Sequence, residues 1–135
     1  MGASESKILL QTYFESKSIS GDSHAEVVKL LLTDPRVNPA DDKNYAIRCA
    51  SQNGHVEVVR ILLADPRVNP VDCDNYAIKY ASYDGRVEVV KELSLWYYNI
   101  DNIISIINTQ DNKIDLIELR NYLEEVNMIK FAGRT

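Results

Sequence analysis

The chain of 135 residues contains the hexapeptide DPRVNP twice, at residues 34–39 and 65–70. The similarity extends well beyond these residues, because AEVVKLLLTDPRVNPADDKNYAI at 25–47 is echoed by VEVVRILLADPRVNPVDCDNYAI at 56–78. Val27, Val58 and Val89 recur at an interval of 31 residues, which is typical of stacked structural units. One such unit buries too little apolar surface to be stable alone, so its neighbours must cover its faces. The sequence therefore predicts a linear array rather than a fold built around a pocket.

Each unit contains the pattern of two helices joined by a short turn. In NYAIRCASQNGH at 44–55, Asn44 is predicted to cap a first helix with a small apolar face, and Gly54 to end it in the left-handed conformation. The second helix, VEVVRILLAD at 56–65, is more apolar. Its core-facing residues are predicted to be Val56, Val59 and Leu63 on one face, with Val58 and Leu62 beside them.

The repeated hexapeptide explains how the units stay in register. Pro66 must end the second helix, because proline has no amide donor and disfavours helical geometry at the preceding residue. Val68 is then predicted to point inward, while Asn69 tolerates turn geometry and Pro70 keeps the chain out of a helix. Each copy of DPRVNP therefore turns the chain at the same place, so that the next helix pair begins in register.

These residues resemble the ankyrin repeat, whose second helix reads Gly-His-x-Glu-Val-Val-x-Leu-Leu. GHVEVVRILL at 54–63 matches that pattern almost throughout, and GRVEVVKEL at 85–93 and SHAEVVKLLL at 23–32 match it nearly as well. YAIR at 45–48 and YAIK at 76–79 stand where the family has Thr-Pro-Leu-His, and the loop is about two residues shorter than in the usual unit of about 33. The short variety resembles the ankyrin proteins of large DNA viruses of amoebae and of some protists.

The resemblance implies an all-α solenoid of stacked helix-turn-helix units with short loops or fingers. It also implies a protein-protein interaction module that is not an enzyme, with a partner held on the concave loop and first-helix surface. In such a fold His24 and His55 are structural residues. A viral chain of this kind would meet its partner in the host cytoplasm.

The two ends of the array depart from the repeat. We expect residues 1–22 to form an N-terminal capping helix region, 23–93 the ankyrin repeats, 94–128 a divergent C-terminal capping repeat and 129–135 a tail. In the C-terminal cap, apolar residues predicted for its second helix are Ile114, Leu116, Ile117, Leu119 and Leu123. The polar outer face that a terminal repeat needs would come from Glu118, Arg120, Asn121, Glu124 and Glu125.

Charge and cysteine content narrow the function classes. A net charge of −5 and a pI near 5.0 argue against a nucleic-acid partner, which needs clustered Lys and Arg, and favour a protein with a basic surface. Apolar runs fall far short of the roughly 20 residues that cross a bilayer. Cys49 and Cys73 occupy non-equivalent repeat positions without metal-site spacing, which indicates free thiols in the cytoplasm. No phosphate loop, zinc motif or catalytic triad signature occurs, so we expect no cofactor, no metal and no catalytic residues. We further expect the protein to be a monomer.

Two features keep open an alternative, a calcium-responsive or lipid-anchored regulatory protein. The segment 107–118 resembles part of an EF-hand calcium loop, but Ile107 and Thr109 stand where the first ligands belong, so capping is the favoured interpretation. Gly2 and Ser6 in MGASES fit the pattern for N-myristoylation. The EF-hand-like positions are Asp111, Asn112, Lys113, Ile114, Asp115 and Glu118.

Partner-binding residues are predicted by subtraction. Ile47, Ile78, Ala50 and Ala81 are assigned to stacking with the apolar residues of the second helices, which leaves the loop and turn side chains free to contact a partner. These candidates are Asp41, Asp42, Lys43, Arg48, Gln52, Asp72, Cys73, Asp74, Lys79, Tyr83 and Asp84. Tyr83 is the preferred anchor, because exposed aromatic residues supply much interface energy. The alternative surfaces are the back of the second helices and residues 96–98, Trp-Tyr-Tyr.

Overall fold

The computed structural model of the chain describes residues 21–97, 99–109 and 111–132, with side-chain surroundings for residues from 25 to 127 within these ranges. In this part of the chain the backbone forms helices and turns, without strands. The helices are α1 (Gly21–Leu32), α2 (Asp41–Gln52), α3 (Val56–Leu63), α4 (Asp72–Tyr83), α5 (Val87–Ser94), α6 (Ile100–Ile107) and α7 (Leu116–Ala132). The prediction of an all-α repeat solenoid is confirmed.

The first helices of the repeats, α2 and α4, pack against each other, and so do the second helices, α3 and α5, which follow them. Gly54 (φ 77°) and Gly85 (φ 70°) end α2 and α4 in the left-handed conformation, as predicted for Gly54. At the first of these turns the amide of Gly54 donates to the carbonyl of Ser51 over 3.2 Å, and the amide of His55 to that of Ala50 over 2.9 Å. This is the Schellman pattern, which satisfies the last helical carbonyls.

The core runs along the array as columns of equivalent residues. Ile47, Ile78, Ala50 and Ala81 are fully buried, so their predicted role in stacking is confirmed. In α3 the prediction needs correction, because Val58, Val59 and Leu62 form the buried face while Val56 and Leu63 are only partly buried. Other buried members of the core are Val28, Val37, Val68, Val89, Val90, Leu93, Ile103 and Ile107.

The hexapeptide is more than a helix stop. Val37 and Val68 point inward, as predicted for Val68. In the second copy, the carboxylate of Asp65 accepts the Arg67 amide over 3.0 Å and the Arg67 guanidinium over 2.7 Å. The same guanidinium donates from Nη1 to the carbonyl of Val37, in the preceding repeat, over 3.2 Å. The hexapeptide therefore also binds adjacent repeats to each other.

The predicted N-cap role of Asn44 is wrong. Asn44 has φ 59°, and it ends a left-handed turn over residues 42–44 that is repeated at 73–75. Its side chain is buried and reaches the next repeat, where Oδ1 accepts the Asn69 amide over 2.8 Å and Nδ2 donates to Oδ2 of Asp72 over 2.9 Å. Asparagine suits this position because it tolerates the left-handed region better than most residues.

The C-terminal pair α6 and α7 packs on α4 and α5. Leu119 and Leu123 are buried and Leu116 is partly buried, which gives a stripe at helical spacing. The core assignment of Ile117 is wrong, because it lies off this stripe and is 75% exposed. Ile114 is buried but precedes the helix.

The outer side of α7 carries polar side chains. Glu118, Asn121, Glu124 and Glu125 are exposed, and Arg120 is partly exposed, with its Nη2 3.0 Å from Oδ1 of Asp101. The helix continues to Ala132, into the stretch expected to be a tail. Residues 1–20, expected to form most of an N-terminal cap, lie outside the described residues.

Candidate functional site

Most of the predicted partner-binding residues lie at two places in each repeat, the left-handed turn in the first part of a first helix and the far end of that helix, while Arg48 and Lys79 lie between them. In the turns, the side chains of Asp42, Lys43 and Asp74 are exposed, while those of Asp72 and Cys73 are partly buried. At the far ends, Asp84 is exposed, and Gln52 and Tyr83 are partly buried. Most of these residues are therefore at least partly accessible at the two ends of α2 and α4.

The premise that all these side chains are free is wrong for Arg48 and Gln52. Arg48 donates from Nε to the carbonyl of Lys43 over 3.0 Å and from Nη2 to that of Asp42 over 2.9 Å. These bonds fix the carbonyls of the left-handed turn. Gln52 accepts the hydroxyl of Tyr76 at Oε1 over 2.9 Å, which joins two repeats.

Asp72 is likewise a structural carboxylate. Its Oδ2 accepts the Asn44 amide group, and its Oδ1 accepts the Cys73 amide over 2.9 Å. The Asn44 hydrogen bond, followed by that from Cys73, lowers the pKa of Asp72. Asp72 therefore stays ionised and holds two repeats in register, which leaves Asp74 as the exposed carboxylate of this turn.

Asp41, the counterpart of Asp72 one repeat earlier, has a different environment. Its Oδ2 is buried and has no hydrogen-bond partner among the described residues. The counterpart of Asn44 would be Tyr13, which has no amide group to donate. The repeat pattern predicts the same partner-binding role for Asp41 and Asp72 and does not show that their surroundings differ.

Lys79 is held within its own repeat. Its Nζ lies 3.0 Å from Oδ2 of Asp74, whose side chain remains largely exposed. Cys73 Sγ lies 4.0 Å from the carbonyl of Lys43, and Cys49 and Cys73 are both free thiols. In the pair of Lys79 and Asp74, the charge of the ammonium group is neutralised by its partner, while the carboxylate stays accessible.

The most distinctive feature of this face is a tyrosine cluster formed by Tyr76, Tyr80 and Tyr83 on α4. The Tyr76 and Tyr80 rings stack with centroids 4.0 Å apart, and Tyr83 meets Tyr80 edge to face at 5.5 Å. Tyr80 is 37% exposed. Sequence reasoning selected only Tyr83, although the spacing of four and three residues would have placed all three rings on one helical face.

A groove of about 170 Å³ adjoins the tyrosine cluster, lined by Tyr45, Arg48, Cys49, Gln52 and Tyr76. The Arg48 guanidinium carbon lies 5.6 Å from the Tyr45 ring centre and 5.2 Å from that of Tyr76. Burial, followed by the neighbouring Tyr80, raises the pKa of the Tyr76 phenol, while the charge of Arg48 acts to lower it. The first-helix side thus combines aromatic rings with a fixed cation.

The alternative aromatic surface is smaller than the sequence suggests. Tyr97 is partly buried and donates its hydroxyl to Oδ1 of Asn75, and burial raises its pKa to about 12. Trp96 packs edge to face on Tyr97 and is 41% exposed. Of the described residues in this stretch, Trp96 is therefore the accessible one.

In the EF-hand-like segment, polar side chains accept hydrogen bonds from nearby backbone amides. Asp115 Oδ1 accepts the amides of Ile117 and Glu118 over 3.0 and 3.1 Å, which caps α7. Asn112 Oδ1 accepts the Ile114 amide over 2.7 Å. Within the described part of the chain, no group of three or more His, Cys, Asp and Glu side chains could hold a metal ion. Gly2 and Ser6 lie outside that part.

Comparison with known proteins gives one match. A family model described as ankyrin repeats (3 copies) matches residues 17–104, which extends beyond the segment 23–93 at both ends. No curated protein and no solved structure matches the chain. Among the helices of the described residues, none is long and apolar enough to span a membrane.

Proposed function

Since the chain belongs to the ankyrin-repeat family, we propose that it is a non-enzymatic module that binds a partner protein through the left-handed turns in the first part of α2 and α4 and the exposed side of these first helices. Ankyrin repeats are generally protein-protein interaction modules. The assignment of the face is our own and rests on the distribution of conserved and altered side chains between the two repeats of this chain.

One observation carries the choice of face. The buried residues of the two repeats are nearly the same, as in Ile47 with Ile78 and Ala50 with Ala81. By contrast, residues on the outside of α2 and α4 differ, with Cys49 at the position of Tyr80 and Gln52 at that of Tyr83. A scaffold that repeats its core while changing this face leaves the face available for recognition.

The opposite side of the array has a different character. On the second helices, Nε of Arg60 in α3 lies 2.9 Å from Oε1 of Glu92 in α5, and Lys91 pairs with Glu88 within α5. Long charged side chains that already pair with one another are poor anchors for a partner, since interface hot spots are mainly aromatic side chains and arginines in desolvated pockets. The first-helix face has the aromatic rings.

The chemistry of the face favours a partner with a basic surface. Asp42, Asp74 and Asp84 are exposed there, and the whole chain has a net charge of −5. We further propose that the module acts as a monomer in the cytoplasm, where Cys49 and Cys73 would remain thiols. If the chain is viral, as its short repeats suggest, the partner is a host protein.

Affinity capture followed by quantitative binding tests this proposal. The double variant Tyr80→Ser/Tyr83→Ser should weaken binding of the captured partner at least tenfold, because it removes two aromatic contacts from the proposed interface. The matched control is Trp96→Ser, which removes an exposed aromatic residue from another surface. Circular dichroism melting of both variants separates lost contact from lost folding. If Trp96→Ser weakens binding while the double variant does not, the interface lies at the C-terminal end instead.

A further inference from the structure

We propose that the tyrosine cluster of Tyr76, Tyr80 and Tyr83 receives an arginine side chain of the partner protein, with the guanidinium group stacked on the exposed ring of Tyr80. The proposal rests on the function proposed above and deepens it, because it names the partner side chain and the place where that side chain binds.

The protein already contains this interaction once. The guanidinium carbon of Arg48 lies 5.6 Å from the Tyr45 ring centre and 5.2 Å from the Tyr76 ring centre. Both distances fall within the range of about 6 Å over which the electron-rich face of an aromatic ring attracts a cation. Two backbone carbonyls orient this guanidinium. Tyrosine rings on this face of the array therefore already hold an arginine.

In the next repeat the tyrosine rings are present, but the arginine is not. Tyr80 extends the row of rings by stacking on Tyr76 at 4.0 Å, but the counterpart of Arg48 in this repeat is Lys79. Nζ of Lys79 lies 3.0 Å from Oδ2 of Asp74. Among the cation-ring contacts of the described residues, those of Arg48 and Lys91 involve other tyrosines. Tyr80 is thus 37% exposed, and no cation of the described residues lies over its ring.

Local charge favours a cation over an anion. Two basic side chains of this face have an acidic neighbour, since Lys79 pairs with Asp74 and the charge of Arg48 acts on Asp72, and the nearby Arg86 donates from Nε to the carbonyl of Gln52. Asp84, directly after Tyr83, is exposed; its amide donates to the carbonyl of Tyr80 over 3.0 Å, while its carboxylate has neither a hydrogen bond nor an ion pair among the described contacts. Its carboxylate could pair with an incoming basic group at the edge of the tyrosine cluster. An acidic partner segment would be repelled there.

The geometry points to arginine rather than lysine. A guanidinium group is planar, is more weakly hydrated than an ammonium group, and stacks on aromatic faces while its edge donates hydrogen bonds. Tyr80 supplies an aromatic ring, and Asp84, four residues further along the chain, supplies an exposed carboxylate as acceptor. Lysine offers only a strongly hydrated point charge, so it should bind this site less well.

A titration with capped tripeptides tests the proposal without a known partner. The probe is acetyl-Gly-Arg-Gly-amide, and the matched control replaces arginine by citrulline, which has nearly the same shape without the charge. Nuclear magnetic resonance of the full chain should show saturable shifts of the Tyr80 and Tyr83 ring signals with the arginine peptide. The citrulline peptide should bind about two- to fivefold more weakly, the factor expected for an exposed cation-ring contact. Equal binding of the two peptides would overturn the proposal.

Variants of Tyr80 give an independent test. Tyr80→Phe keeps the ring and should bind the arginine peptide as wild type does, whereas Tyr80→Leu should lose the two- to fivefold preference over citrulline. Because Tyr80 is partly exposed, both variants should fold, which circular dichroism checks. An unchanged preference in Tyr80→Leu would contradict the proposal. A captured partner that still binds Tyr80→Leu at full strength would refute the arginine site while leaving the module function in place.

Discussion

Replacing Asn44 tests how adjacent repeats are held together. In Asn44→Ala the side-chain bonds to the Asn69 amide and to Asp72 are lost, at about 0.5–1.5 kcal/mol each. Alanine must also adopt φ near 59°, which costs about 1–2 kcal/mol for a residue with a Cβ and no local polar compensation. We expect the free energy of unfolding to fall by about 2–5 kcal/mol in total.

Asn44→Gly separates the two contributions. Glycine adopts positive φ without steric cost, so this variant should lose mainly the hydrogen bonds and be about 1 kcal/mol more stable than Asn44→Ala. Urea denaturation measured by far-ultraviolet circular dichroism gives the free energies. The fluorescence of Trp96, the one tryptophan, shows whether the C-terminal end unfolds in the same transition.

The reasoning fails if Asn44→Ala lowers the free energy of unfolding by less than about 0.5 kcal/mol, the usual size of a surface substitution. It also fails if the alanine and glycine variants have equal stability, because the left-handed turn would then carry no cost. Separation of the two unfolding signals in Asn44→Ala alone would show directly that the side chain couples neighbouring repeats.

Three further predictions concern the core, the turns and acid stability. Leu62→Ala should lower the free energy of unfolding by about 2–5 kcal/mol in urea denaturation, because a fully buried side chain is removed. Gly54→Ala should destabilise somewhat more than Gly85→Ala in thermal melts. Both have positive φ, but an added Cβ at Gly54 would lie 2.8 Å from Arg86 Cδ and displace the side chain whose Nε donates to the carbonyl of Gln52, whereas at Gly85 the nearest atom would be 3.7 Å away. The Arg36 hydrogen bond lowers the pKa of Asp34 to about 2, so its contribution to stability is present above the unfolded value near 4 and is lost as pH falls towards 2. Asp34→Asn should therefore reduce the slope of stability against pH in that window.

The periodic features of the fold could be predicted from the sequence because they depend on short-range chemistry. Gly54 ends a helix through its own backbone freedom, and Val68 points inward because the hexapeptide sets its direction. Ile117 was misassigned because it neighbours true core residues in the sequence, while the three-dimensional stripe of α7 passes through Leu116 and Leu119. A short apolar run does not determine which of its members face the core.

The candidate site was harder to predict because its residues bond across repeats. Asn44 and Asp72 are separated by 28 residues and meet through the stacking of two turns, so no local pattern shows that both are structural. The bonds of Arg48 to the turn of its own helix and of Gln52 to Tyr76 also have no signature in the sequence. Sequence patterns identify the core residues, which are then set aside as candidates for binding. They do not identify the polar residues whose hydrogen bonds hold the array together.

Amide hydrogen exchange on the chain with and without its captured partner tests most directly that the first-helix face is the interface. We predict that binding slows exchange in residues 72–84 and 41–52 and leaves residues 87–94 and 116–127 unchanged. The protein alone provides the reference, and the Tyr80→Ser/Tyr83→Ser variant mixed with the partner should show little protection anywhere. Protection confined to the second helix 87–94 or to the C-terminal helix would contradict the account.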